Sequence, residues 1–159
     1  ISMLLAAAPL QFTETLYPSW GQTFTIDKEI LQDKTELQDL LIFENDYFGR
    51  VMALDGVVQF TEADEMVYHE MMTHVPILTH GNVSSVLVVG GGDGGAIREV
   101  LRHPNISRIV LVEIDPSVIE LSKTYFPKMS KGAFDNPRVE VVIQDAAQYV
   151  KETDERFDV

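Results

Sequence analysis

Six consecutive residues with five glycines, Gly90-Gly91-Gly92-Asp93-Gly94-Gly95, constrain this chain more than any other feature. They follow Ser84-Ser85-Val86-Leu87-Val88-Val89, a nearly continuous β-branched run of the kind buried on both faces of a parallel sheet. A helical stretch, Ala96 to Arg102, comes next. Gly90, Gly92 and Gly95 satisfy G-x-G-x-x-G in the strand–turn–helix setting that gives the pattern its meaning. Glu113 stands 18 residues past Gly95, near the offset at which a carboxylate accepts ribose hydroxyls. Together they predict a nucleoside-binding site. The competing reading is a glycine turn that serves only tight strand-to-helix packing.

The alternation continues downstream. Arg108 to Glu113 reads as a second strand, and Asp115-Pro116 opens a helix with an N-cap and a proline at the first position, ending by Pro127. Val139 to Ile143 is a third strand, Ala146 to Glu152 a third helix, and Phe157-Asp158-Val159 the start of a fourth strand. Strand and helix in turn imply right-handed crossovers and a doubly wound parallel sheet of Rossmann-like, methyltransferase type, truncated in its fourth strand. Upstream, Gln22 to Ile26, Leu40 to Phe43, Val51 to Leu54 and Val57 to Phe60 read as short antiparallel strands, with Asp55-Gly56 as a tight hairpin. Thr61 is expected to cap a helix carrying an apolar stripe of Val67, Met71, Val75 and Leu78, which Pro76 kinks or ends. The expected class is α/β: a small antiparallel β-meander domain over residues 1–64, then a partial Rossmann-like domain over 65–159.

Composition narrows the partners. The 159 residues hold 12 basic and 25 acidic side chains, net −13, of which −10 falls on residues 1–80. Such a field repels a phosphate backbone, so nucleic acid is excluded as a partner, while small cations are attracted. There is no cysteine, which excludes disulfides, thiolate metal sites and Cys nucleophiles. The apolar opening, Ile1 to Leu10, lacks the basic flank of a signal peptide and is shorter than the roughly 20 residues of a membrane span. It is read as an expression remnant or a buried terminal segment at an edited end without an initiator Met, and the chain as cytoplasmic with no membrane partner.

Asp93 decides between nucleoside ligands. A carboxylate in a pyrophosphate loop would repel the phosphates by about 1 to 4 kcal/mol at roughly 4 Å, so NAD and FAD are disfavoured. A ligand with a sulfonium or amine beside its ribose gains from the same charge, although Asp93 also suits a helix cap. Asp145 lies where an adenine amine would arrive, with the Ala146 N–H beside it, and equally suits an N-cap. His69-Glu70-Met71-Met72-Thr73-His74 resembles a zinc helix, but five residues turn a helix by about 500°, so its histidines diverge by roughly 140° and metal is rejected. Tyr68 and His69, flanking the stripe, are expected to be buried with satisfied hydrogen bonds.

Gly21-Gln22, Lys34 to Asp39, Gly49-Arg50-Val51-Met52-Ala53-Leu54-Asp55-Gly56, Glu65 through His69-Glu70-Met71, Gly90 to Gly94, Val112-Glu113-Ile114-Asp115 and Asp145-Ala146 occur in the order and spacing of one family. From about Gly21 to Val159 the chain resembles the polyamine aminopropyltransferases. The resemblance implies a transferase of polyamine and spermidine biosynthesis, cytosolic and homodimeric. Such enzymes move an aminopropyl group from decarboxylated S-adenosylmethionine, a co-substrate rather than a cofactor, to putrescine, giving spermidine and methylthioadenosine. It assigns Gln38, Glu113, Asp145 and Ala146 to the nucleoside substrate, and His69, Asp93 and Tyr68 to the amine. Family members continue the fourth strand into an Asp-Ser/Cys-Thr-Asp-Pro segment bearing the proton acceptor, which falls beyond Val159, so no catalytic base is assigned and the chain as given is expected to be inactive. A methyltransferase using intact S-adenosylmethionine, a non-catalytic nucleoside-binding or dimerisation module, and a nicotinamide dehydrogenase are the alternatives.

Overall fold

The structure is a computed structural model whose described residues are 8–159. Residues 1–7 of the apolar opening lie outside them, and Ala8, Pro9 and Leu10 are exposed. The chain forms two compact units, Ile1–Asp64 and Glu65–Val159.

The first unit is all β. Strands β1 (Gln11–Thr13) and β2 (Thr23–Thr25) pair antiparallel, and β3 (Lys28–Lys34), β4 (Asp39–Asn45), β5 (Gly49–Leu54) and β6 (Val57–Thr61) form a meander in sequence order. Phe24, Phe43 and Val51 make its buried cluster, with Phe12 5.5 Å from Phe43 and Phe48 5.3 Å from Phe24, centroid to centroid. The β5–β6 turn is the expected hairpin: Asp55 has φ 49° and Gly56 φ 75°. The Asp55 carboxylate accepts from Asp39 N at 2.9 Å, which ties the turn to β4. Thr61 is not a helix cap. It is the buried last residue of β6, and its hydroxyl donates to Asp64 at 2.6 Å.

The second unit is a parallel sheet with helices. Strands β7 (Ser85–Val89), β8 (Arg108–Glu113) and β9 (Val139–Ile143) are parallel in the order 7-8-9. Helix α1 (Glu65–His80) precedes them, α2 (Gly95–Val100), α3 (Pro116–Tyr125) and α4 (Pro127–Ser130) lie between them in the chain, and α5 (Ala146–Glu152) follows β9. Asp115 caps α3 by accepting from Ser117 N at 2.9 Å. The double-sided burial expected of β7 belongs to β8, where Ile109 to Glu113 are all buried; Val89 of β7 is 62 % exposed. Val86, Ile97, Val100, Ile109 and Leu111 form the core. At the other edge of β7, Leu87 N donates to Val159 O at 2.9 Å and Asp158 N to Ser85 O at 3.1 Å. The chain thus returns to the side of β7 opposite β8. The carboxyl end of β7 therefore lies at the point where the winding reverses, which is where open α/β sheets bind ligands.

Helix α1 departs from expectation. Val67, Met71, Val75 and Leu78 are exposed, and the buried line is His69, Thr73 and Ile77, at four-residue spacing. These two sets lie about 200° apart around the helix. The buried line is polar at its start because it faces charged residues of α2 rather than an apolar core. Pro76 does not end the helix, which runs on to His80.

Replacing Gly56 by Ala should cost about 1–3 kcal/mol, since its φ is positive and an added Cβ would lie 2.5 Å from Thr15 Oγ1. Chemical denaturation of the two forms measures this.

Candidate functional site

The glycine loop is shaped by what each position must admit. Gly90, Gly91 and Gly94 have φ of 72°, 93° and 82°. Gly92 and Gly95 are required by space instead. A Cβ on Gly92 would lie 3.0 Å from both Glu113 Oε2 and Val118 Cγ1, and one on Gly95 would enter the His69 ring, 2.3 Å from Cε1. The third glycine of the motif is thus the seat of an imidazole.

Two carboxylates are fastened to this loop. Glu113, buried at the tip of β8, accepts from Gly92 N at 2.9 Å through Oε2 and from Asp115 N at 3.0 Å through Oε1. Each oxygen keeps room for a second donor, the requirement for gripping a pair of hydroxyls. Asp93 Oδ1 accepts from Gly95 N at 2.6 Å and meets His69 Nε2 at 3.0 Å. Its Oδ2 makes no bond among the described residues.

His69 is 1 % exposed, and its other nitrogen, Nδ1, lies 2.6 Å from Glu65 Oε2. Burial disfavours the charged ring, but bonds and charge from Asp93, then Glu65, outweigh it and raise its pKa above the ordinary 6.5. Glu65 is gripped at both oxygens by Arg98, at 3.0 Å each, and Arg98 Nε donates to Glu99 at 2.8 Å. Glu99, buried, also accepts from Arg102 at 2.6 Å and faces His74 at 3.1 Å. Burial opposes its charge, yet the two arginines hold its carboxyl below the usual range. His69 and His74 thus serve different partners. Among the described residues no cluster of His, Asp and Glu suits a metal ion.

The structure brings His69 and Glu113 against the glycine loop that carries Asp93. Asp145 and Ala146 stand beside it at the neighbouring strand end, where Gln144 N donates to Glu113 O at 3.0 Å. Asp145 is exposed and caps α5 through Ala147 N at 2.7 Å. Tyr68 is 57 % exposed, against the expectation of burial, because it points away from the line that faces α2. Its ring meets His69 edge-on at 5.2 Å. Gln38 belongs to the first unit. Glu65 and Arg98 were not legible as site residues; the signal was the Glu65–His69 spacing of four on one helix.

The description "Spermine/spermidine synthase domain" matches residues 65–159, and "Spermidine synthase tetramerisation domain" matches residues 10–62. The chain belongs to the spermine/spermidine synthase family. It is 54 % identical over 146 residues to a polyamine aminopropyltransferase of Pectobacterium atrosepticum, covering 92 % of this chain and 51 % of that protein. It is 55 % identical over 148 residues to polyamine aminopropyltransferase 1 of Pseudomonas aeruginosa, covering 93 % and 52 %. A spermidine synthase solved with the transition-state analogue AdoDATO superposes with a TM-score of 0.87 at 41 % identity, over 94 % of this chain and 54 % of that one. The Thermotoga maritima spermidine synthase does so at 0.86 and 40 %, with the same coverage. The chain spans about half the length of these curated relatives. In this family member the antiparallel sheets precede a parallel sheet with helices, as the fold of those synthases requires. No described helix is long and apolar enough to cross a membrane.

Because the native pKa of His69 is raised, its ion pairs add stability that is complete below about pH 6.5 and is lost as pH rises through the native value. The difference in urea midpoint between the parent and His69→Gln should therefore shrink on going from about pH 6 to about pH 9.

Proposed function

We propose that this protein is a spermidine synthase, transferring an aminopropyl group from decarboxylated S-adenosylmethionine to putrescine to give spermidine and methylthioadenosine. The observation that carries the reading is Asp93, a carboxylate fixed at the winding reversal of the sheet, whose Oδ2 makes no hydrogen bond among the described residues. An anionic pyrophosphate would be repelled there, whereas a sulfonium or ammonium is stabilised. Glu113, locked by two backbone N–H groups, presents its remaining lone pairs to the ribose hydroxyls, and Asp145 with the Ala146 N–H suits the adenine edge. Gln38 is assigned to the same nucleoside, and Tyr68 and His69 to the amine with Asp93.

In the reaction an amine nitrogen attacks the methylene carbon beside the sulfonium. The new C–N bond forms as the C–S bond breaks, the electron pair leaves on a neutral thioether, and the nitrogen gives up a proton. An alkylammonium with pKa near 10.4 must first be deprotonated, which costs about 1.36 kcal/mol for each of roughly three units at pH 7. Asp93 contributes by holding ammonium charge and orienting the attacking nitrogen. No residue of this chain is assigned as proton acceptor, and no metal or resident cofactor enters the scheme. The same reading places the enzyme in the cytoplasm as an oligomer of identical chains. The resemblance suggests a dimer, and the family description of residues 10–62 a tetramer, which light scattering separates.

Protein expressed from the complete reading frame should convert decarboxylated S-adenosylmethionine and putrescine to spermidine, and Glu113→Ala should lower kcat/KM at least about 100-fold. Methyl transfer from intact S-adenosylmethionine, or product formation indifferent to Asp93→Asn, would overturn the assignment.

A further inference from the structure

The ion pair that backs His69 has no direct route to a substrate, yet its geometry is too specific for a mere helix contact. His69 lies between Glu65 on its own helix and Asp93 on the glycine loop, at 2.6 and 3.0 Å, with its ring lying against Gly95. Those two bonds and that contact leave the ring a single orientation. Glu65 is itself immobilised: Arg98 grips both of its oxygens at 3.0 Å and is anchored by Met129 O at 2.6 Å and Glu99 at 2.8 Å. The side chains of Glu65, Arg98 and Glu99 are 15, 11 and 5 % exposed, so little water competes for these bonds.

The consequence reaches Asp93. Its Oδ1 is saturated by the Gly95 N–H and the imidazole, which fixes the carboxylate plane and leaves Oδ2 as the only oxygen that can accept an ammonium. Were the ring free to turn, the imidazole and the incoming amine would compete for both oxygens. We propose that Glu65 and Arg98 are positioning residues of the amine site, acting through the orientation of His69 to hold Asp93 with Oδ2 turned toward the substrate. This rests on the amine-site reading above. The charged groups facing His69 are Glu65 and Asp93, with Arg98 one bond behind Glu65 and the neutral Tyr68 ring at its edge.

The test is steady-state kinetics of Glu65→Gln and Arg98→Lys in protein from the complete reading frame, with nitrogen-15 NMR titration of His69. Glu65→Gln keeps shape but removes the charge, and Arg98→Lys keeps charge but removes the two-pronged grip. The putrescine KM should rise about tenfold in Glu65→Gln and by less in Arg98→Lys, with the KM for decarboxylated S-adenosylmethionine within about twofold of the parent. The His69 titration should move to lower pH in Glu65→Gln. An unchanged putrescine KM in folded Glu65→Gln, even with a lower melting temperature, overturns the proposal. If that variant does not fold, the parent decides: both His69 nitrogens protonated at neutral pH supports the proposal and a neutral ring overturns it. A parent protein that does not use putrescine at all defeats the amine-site reading itself, and this proposal with it.

Discussion

An imidazole sealed between two carboxylates is the interaction on which the second unit depends. Burying charge is costly unless every partner is present with good geometry, and breaking one member leaves the others uncompensated. With His69 protonated, the chain of charges alternates in sign from Asp93 through His69, Glu65, Arg98 and Glu99 to Arg102, so that each group meets its opposite at hydrogen-bond distance. The ladder joins α1, the glycine loop and α2. It explains why α1 buries His69 and Thr73 rather than its apolar stripe, and why Gly95 cannot carry a side chain.

The same glycine loop gives a familiar pattern an unfamiliar content. Gly92 makes way for Glu113, and Gly95 for His69, so the loop is built around side chains on both sides rather than around a phosphate. Its acid, Asp93, then carries the sign that separates cationic from anionic ligands. A pattern match alone is silent on this point; the single residue inside it is decisive.

How much could be read beforehand follows from local physics. The strands β8 and β9, the helix opened by Asp115-Pro116 and the Asp55-Gly56 hairpin were all legible, because hydrophobic runs, caps and positive-φ residues are local signals. Strand β3, Lys-Glu-Ile-Leu-Gln-Asp-Lys, was not, since it is a largely exposed edge strand with a bulge between Glu29 and Leu31 that breaks the alternation. The side on which α1 packs was misread because ionic partners 24 residues (His69 to Asp93) and 33 residues (Glu65 to Arg98) distant, not hydrophobicity, set its buried line. Glu113 was nominated from spacing and Asp93 from its charge within the glycine loop, whereas Glu65 and Arg98 became visible only once the helices faced each other.

The strap at the open edge of β7 bears on the order of folding. Asp158 Oδ2 gathers the N–H and hydroxyl donors of both Ser84 and Ser85, at 2.7 to 3.1 Å, across a separation of 74 residues from Ser84. On the other edge, Ser107 meets Ser84 after only 23. Closing the longer loop costs about 1 kcal/mol more in chain entropy, so the β7–β8 pairing is favoured first and the returning segment docks onto an edge already formed. Until it does, β7 presents unpaired backbone groups beside an exposed Val89, the kind of edge at which nascent chains stick to one another. A single carboxylate that satisfies four donors at once is a compact means of closing that window.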